Sequence, residues 1–232
     1  MNDAPLGDRY RQVLDRIAQA AARAGRSPAD VTLVAISKTF PADVVALAVS
    51  AGITDLGENR AQELKEKATA VPGDVRWHFV GHLQTNKVRY VVGTAALVHS
   101  VDRYGVAEAI ARRARTLGVT QDVLVEVNVS GEPTKQGVEP AGAVALAEEV
   151  HALDGVRVGG LMTMAPFAET AESSRPYFAD LAALGRVLAR SLPDATELSM
   201  GMTRDFEVAV EEGATIVRVG EAIFGPRQRE AR

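Results

Sequence analysis

No cysteine occurs in the 232 residues. Disulfides, thiol nucleophiles and cysteine-ligated zinc or iron–sulfur centres are excluded, and the redox compartment is only weakly indicated. Neither sign of charge is in large excess: 26 Lys and Arg oppose 30 Asp and Glu, giving net −4 and a pI of about 5.7. Such a balance makes no global field to recruit nucleic acid or an anionic membrane. No apolar run approaches the ~18 residues of a membrane span. The opening MNDAPLGDRY has neither the basic nor the apolar region of a secretory leader. A soluble, cytoplasmic protein is the default expectation, with no nucleic-acid or membrane partner. Also missing are a Pro/Gly/Ser-rich linker, low-complexity sequence and a GxGxxG after the first strand-like run, which weakens a dinucleotide-binding reading.

What is present is a regular alternation. Hydrophobic content of 47% and charged content of 24% are ordinary for a globular chain, and the length suits one α/β barrel or at most two small domains. Tyr10, Val13, Leu14, Ile17 and Ala21 fall on one face of a helix over 8–24, ended by Gly25. Strand-like runs then begin at 31 and recur at 53–57, 75–80, 95–100, 123–129, 156–162, 196–198 and 215–219. Helical patterns fill the intervals, with Pro41 opening the first and Asp102 placed to N-cap another. Strands alternating with helices call for parallel pairing through right-handed crossovers. Eight such units favour a closed (β/α)8 barrel, with an extra N-terminal helix, over an open doubly wound sheet. The expected domain is a single one over 1–232.

In this architecture chemistry gathers where the strands end. The first strand lies in VTLVAISKTF, 31–40, and ends at Lys38. Lysine is among the residues least often fully buried. One reading is a strand-end lysine snorkelling to solvent; the other is a Schiff-base lysine, whose amine desolvation keeps neutral enough to attack an aldehyde. Ser199-Met200-Gly201-Met202-Thr203 reads either as a turn with Thr203 as N-cap or as a nest of backbone donors for an anion. The neighbouring Arg218-Val219-Gly220 favours the anion, because the loops after strands seven and eight form the recurrent phosphate site of such barrels. Arg218 itself reads as a phosphate counter-ion, as a partner of a cofactor ring nitrogen, or as a salt bridge to Glu207, Glu211 or another nearby acid. His78 and His82 are four apart, but the run starts on a strand and contains Gly81, so helical metal ligation is not expected. His99 and His151 read as structural or exposed, and Lys135 as a loop lysine that could approach a bound aldehyde.

The segments ISKTFP, GENRAQE, WHFVGHLQTNK, GLMTM and LSMGMTRDFEVAVEEGATIVRVGEAIFG together resemble the pyridoxal phosphate homeostasis proteins over nearly the whole of 31–226. The resemblance implies a barrel of the alanine racemase N-terminal-domain type that binds pyridoxal 5′-phosphate (PLP). It implies a Schiff base on Lys38, Asn59 near the cofactor, phosphate contacts from Ser199, Met200, Gly201 and Gly220, and Arg218 against the pyridine nitrogen. It further implies a role in holding, buffering or delivering PLP and related vitamers to apo-enzymes, without an established catalytic turnover. A low-efficiency PLP enzyme such as an amino-acid racemase is the alternative, and a cofactor-free class I aldolase-like barrel a third reading. Alanine racemase adds a β-rich domain and an opposing tyrosine; here little chain follows strand eight, and Tyr10, Tyr90, Tyr104 and Tyr177 fall on predicted helices or their edges. A monomer is expected accordingly.

Overall fold

The computed structural model of the protein describes residues 4–167 and 169–226. Residues 1–3, 168 and 227–232 of the expected domain lie outside the described residues. Eight parallel strands close into a barrel in chain order: β1 (Thr32–Ile36), β2 (Asp55–Glu58), β3 (Arg76–Phe79), β4 (Leu97–Val101), β5 (Gln121–Glu126), β6 (Val156–Met162), β7 (Glu197–Ser199) and β8 (Ile216–Val219). The ring shuts where β1 pairs with β8, with Val34 opposite Arg218. Around it run α1 (Leu6–Arg23), α2 (Ala42–Ser50), α3 (Ala61–Ala70), α4 (Val88–Val91), α5 (Tyr104–Leu117), α6 (Pro140–His151), α7 (Arg175–Leu188), α8 (Phe206–Glu211) and α9 (Glu221–Phe224). The eightfold alternation read from the sequence is the architecture found, including the additional helix before β1.

Two buried layers differ in chemistry. Between sheet and helices the core is almost wholly apolar, with Phe79, Phe178, Phe206, Leu64 and Ile110 fully buried. At about 1.5–3 kcal/mol for each large side chain removed from water, this shell supplies most of the hydrophobic stabilisation. Inside the barrel the apolar cluster is small: Val34, Ile36, Leu124, Met162 and Ile216. Asp55, His78, His99, Glu126, Ser199 and Arg218 are buried as well.

Helix α1 buries Val13, Ile17, Ala20 and Ala21. This stripe runs at i, i+4, i+7 and i+8, and Leu14, expected on it, is turned out to 38% exposure. Arg16 grips Glu207 through two hydrogen bonds of 2.7 and 2.9 Å, and Arg23 reaches Glu211 at 2.7 Å. These contacts strap α1 onto α8. Local caps also depart from expectation. Asp102 does not cap α5, whose N-cap is Arg103 without a side-chain bond; its carboxylate instead meets Arg103 at 2.6 Å and His82 at 3.4 Å. Pro41 stands at the N-cap of α2 rather than inside its first turn. Among the described residues no helix is long and apolar enough to cross a membrane.

Candidate functional site at the carboxyl mouth

Strand β1 stops at Ile36, and Lys38 follows in a turn, half-buried, between Ser37 and Thr39. Both flanking residues are tied down. The Lys67 ammonium, on α3, donates to the Ser37 carbonyl at 2.9 Å and to Glu58 Oε1 at 2.6 Å. Ser37 Oγ donates to the same Glu58 oxygen at 2.6 Å. On the other side Thr39 has φ 71°, a left-handed conformation that a β-branched residue rarely adopts. Its N–H donates to Glu63 Oε2 at 3.1 Å, which helps hold that conformation. Burial pushes the Glu58 carboxyl up from its ordinary value, against the hydrogen bonds from Lys67 and Ser37. Its second oxygen, Oε2, has no hydrogen-bond partner.

Around the mouth, three glycines permit close approach. A Cβ at Gly81 would lie 2.1 Å from the Asn59 carbonyl oxygen, so only glycine lets the loop after β3 lie against the end of β2. Gly201, at φ 90°, would clash with Ala209 and Phe206 if it carried a side chain. Gly220 ends β8 and opens α9, with its Cα facing the Ile36 carbonyl. Met200 is buried, and its N–H completes the barrel ladder to Ile216 at 3.0 Å. Thr203 does not cap α8. That position belongs to Asp205, whose carboxylate accepts from the Met202 N–H at 2.7 Å and from Ser174 Oγ at 3.1 Å.

Arg218 is buried, and its partners are neutral. One guanidinium nitrogen donates to Ser199 Oγ at 2.5 Å, another to the Thr163 carbonyl at 2.8 Å. The salt bridge to Glu207 or Glu211 is overturned: those carboxylates serve Arg16, Arg23 and Arg175 on the outer surface. Burial lowers the Arg218 pKa to about 10, and Glu126 and Asp205 act on it only as nearby charges. Glu126, at the end of β5, is pushed up to about 7 by burial and by the Asp102 charge, with Arg218 opposing.

Ser199 Oγ continues inward to His99 Nδ1 at 2.8 Å; His99 Nε2 meets His78 Nδ1 at 2.9 Å; His78 Nε2 meets Asp55 Oδ1 at 3.0 Å. Arg76 donates to that same oxygen at 2.8 Å. Burial pushes Asp55 up, but the hydrogen bonds from His78, Arg76 and Thr54 outweigh it and bring the group to about 2. Burial, with His78 and Arg218, holds the His99 pKa well below the usual imidazole range.

The residues singled out from sequence therefore divide. Lys38, Gly220 and Arg218 stand together on the arc where β1 meets β8, and Gly201 is tied to them because its carbonyl accepts the Arg218 N–H at 3.0 Å. The Ser199 hydroxyl is committed to the interior. Asn59 stands further round, at the end of β2, where it helps line a cleft of about 450 Å³ with Glu63, Phe79, His82 and Lys87. His78 and His82 do not converge, since one turns into the barrel and the other towards Asp102. Lys135 is half-buried in the loop after β5, whose turn is held by Asn128 and Ser130. Sequence reasoning missed Asp55 and Glu126, and of its two readings of His99, structural or exposed, the buried and doubly bonded ring fits the first. The available signal was polar residues on strands whose neighbours are apolar.

A parallel eight-stranded barrel with a strand-one lysine and a guanidinium on the adjoining last strand defines a class, and the family model described as alanine racemase, N-terminal domain, matches residues 10–228. The alanine racemase of Clostridium difficile 630 shares this fold, with a TM-score of 0.69 at 18% identity over 96% of this chain and 58% of its own. Much closer is the pyridoxal phosphate homeostasis protein of Aquifex aeolicus, 48% identical over 223 residues that make up 95% of this chain and 98% of that protein. PipY of Synechococcus elongatus, solved with PLP bound, superposes with a TM-score of 0.77 at 37% identity, over 90% of this chain and all of its own. The chain belongs to the pyridoxal phosphate homeostasis protein family.

Proposed function

We propose that the carboxyl mouth holds PLP and that the protein buffers and delivers it, with Lys38 as the residue that links to the aldehyde. The observation carrying this reading is the arc of β8 and β1. A buried guanidinium on β8, with no acid in contact among the described residues, and a lysine held in the turn just past the paired strand β1 lie beside glycine-bearing loops. That donor set fits a phosphorylated pyridine aldehyde. Bound there, PLP supplies an aldehyde that links to amines and a ring that withdraws electrons. The backbone N–H groups at Gly201 and in the first turn of α9 after Gly220 would hold the phosphate. Ser199 and Met200 contribute by shaping that loop, one hydroxyl holding Arg218 and one N–H closing the ladder. Asn59 borders the ring side.

Arg218 sets the chemistry's limit. A guanidinium cannot take a proton from water or hand one to a pyridine nitrogen. A pyridine nitrogen beside it would receive no proton from this residue, and the ring would be the weaker electron sink, which suits holding over turnover. The protein works in the cytoplasm as a monomeric, single-domain carrier, taking PLP and other B6 vitamers and giving them up to apo-enzymes. Purified protein incubated with PLP should show an absorbance band near the visible edge, and Lys38→Ala should abolish it. A Lys38→Ala protein that keeps the band places the link on another lysine. Steady deuterium exchange at Cα across a panel of amino acids overturns the carrier reading in favour of an enzyme such as a racemase.

A further inference from the structure

We propose that Ser199, His99, His78 and Asp55 are positioning residues for Arg218, forming a one-way hydrogen-bond relay through the barrel that keeps the guanidinium in place at the mouth. The proposal rests on the reading of Arg218 as a cofactor contact.

The direction follows from the two ends. A guanidinium has donors only, so at 2.5 Å Ser199 Oγ must accept. The hydroxyl has one proton, and its other partner is His99 Nδ1 at 2.8 Å, so the proton points there. An Nδ1 that accepts leaves His99 neutral with its proton on Nε2, which donates to His78 Nδ1 at 2.9 Å. His78 then carries its own proton on Nε2 and donates to the Asp55 carboxylate at 3.0 Å. The carboxylate, an acceptor only, also takes the Arg76 N–H, so the far end has the polarity that the near end requires. Ser199 and His99 are wholly buried and His78 nearly so, which leaves no water to stand in for a missing link. The second arm of Arg218 is fixed by the Thr163 carbonyl, and Thr163 in turn donates its N–H to the Ser199 carbonyl at 3.0 Å. Remove a member and Arg218 loses the acceptor that orients it. A glutamine at 99 offers one carbonyl to Ser199 and one amide N–H to His78, so it keeps the direction; a leucine offers neither.

The test begins with the protein free of PLP. Nitrogen-15 NMR of the imidazoles should find both Nδ1 atoms of His78 and His99 unprotonated and both Nε2 atoms protonated; the opposite tautomers overturn the proposal. In His99→Leu and in Ser199→Ala, solvent exchange of the Arg218 N–H groups should speed by about tenfold, the factor matching one lost buried hydrogen bond to a charged group. His99→Gln should restore the slow rate. Unchanged exchange in both breaking variants overturns the relay. Adding PLP separates the two readings. If exchange accelerates in His99→Leu and the absorbance band shifts with it, both stand. If exchange accelerates and the PLP spectrum and affinity match the wild type, Arg218 is held by the relay but is not a cofactor contact.

Discussion

Two buried polar networks flank the mouth, one outside the sheet and one inside the barrel, and they are built on opposite principles. Beneath α3, Lys67 and Glu58 bring opposite charges within 2.6 Å of each other and tie down Ser37 on one side of Lys38, while Glu63 holds Thr39 on the other. Within the barrel the charges stand at the ends, Arg218 at one and Asp55 at the other, with three neutral groups between. An ion pair in contact holds only while both members are present, since removing one leaves an uncompensated charge in the interior. A relay whose inner links are neutral loses hydrogen bonds when it is cut, but no full charge is stripped of a counter-charge in contact with it. The first fixes the turn that carries Lys38; the second fixes the orientation of a distant cation with less at stake per link.

The largest effect expected is on the outer network. Lys67→Ala should cost about 3–5 kcal/mol of unfolding free energy, read from urea denaturation at neutral pH, because Glu58 is left buried without its cation. The double variant Lys67→Met with Glu58→Leu should recover most of that stability while failing to hold the Ser37–Thr39 turn, so PLP binding stays weak. A single variant as stable as the parent would mean that the contrast between the two networks does not exist.

A pH profile sharpens the comparison next. Both regions contain a carboxyl that burial pushes up, but Glu58 touches its cation and Glu126 feels Arg218 only at a distance. For Glu126 the folded value of about 7 lies above the ordinary 4.5. The folded protein therefore holds a proton that the unfolded chain releases. Its stabilising contribution is complete below 4.5 and is lost as pH rises through about 7. Glu126→Gln should flatten this window and raise stability at pH 8 by ~1–3 kcal/mol relative to wild type. Parallel profiles for the two proteins would remove Glu126 from the account.

Ser199→Ala, in the middle of the relay, should cost about 1–3 kcal/mol, less than breaking the ion pair, because it strands an imidazole nitrogen and one arm of a guanidinium without burying a new charge. Thermal melts of the two variants side by side give the order directly.

The gap between sequence and structure follows the same division. The barrel was legible because the shell is apolar: short hydrophobic runs, most of them preceded by a glycine, mark the strands, and Lys38 stands out at the end of one. Gly201 has a physical reason to be glycine, a left-handed backbone and contacts with Ala209 and Phe206 that leave no room for a Cβ, whereas Gly220 has an ordinary φ and only a tight approach to the Ile36 carbonyl. The interior network was not legible. A strand of four or five residues turns only two or three side chains inward, too few for a period-two pattern to declare itself. Asp55 and His99 therefore looked like isolated polar residues. Their partners lie far along the chain, His78 23 residues from Asp55 and Ser199 100 residues from His99, and only closure of the barrel brings them together. Caps failed for a nearer reason. Asp102 and Thr203 are good N-cap types, but tertiary partners claim Asp102, and Asp205 lies better placed at the start of α8.

The smallest effect expected is at the relay's solvent end, and it tests whether the inner network is anchored there. Arg76 is 60% exposed and meets Asp55 Oδ1 at 2.6 Å. An exposed pair of this kind is worth about 0–1 kcal/mol and weakens with salt. Arg76→Ala should therefore barely change neutral-pH stability, yet it removes one of the hydrogen bonds that bring Asp55 to about 2. A carboxylate with a depressed folded value contributes stability that is present above its ordinary 3.8 and is lost as pH falls towards 2. In the variant the folded value lies closer to 3.8, so the loss on acidification should be smaller and complete at a higher pH, and the acid limb of the stability curve moves up at its lower end. An acid limb that does not move would show that His78 and Thr54 hold Asp55 without help from Arg76, and the relay would then end at the imidazole pair and its carboxylate.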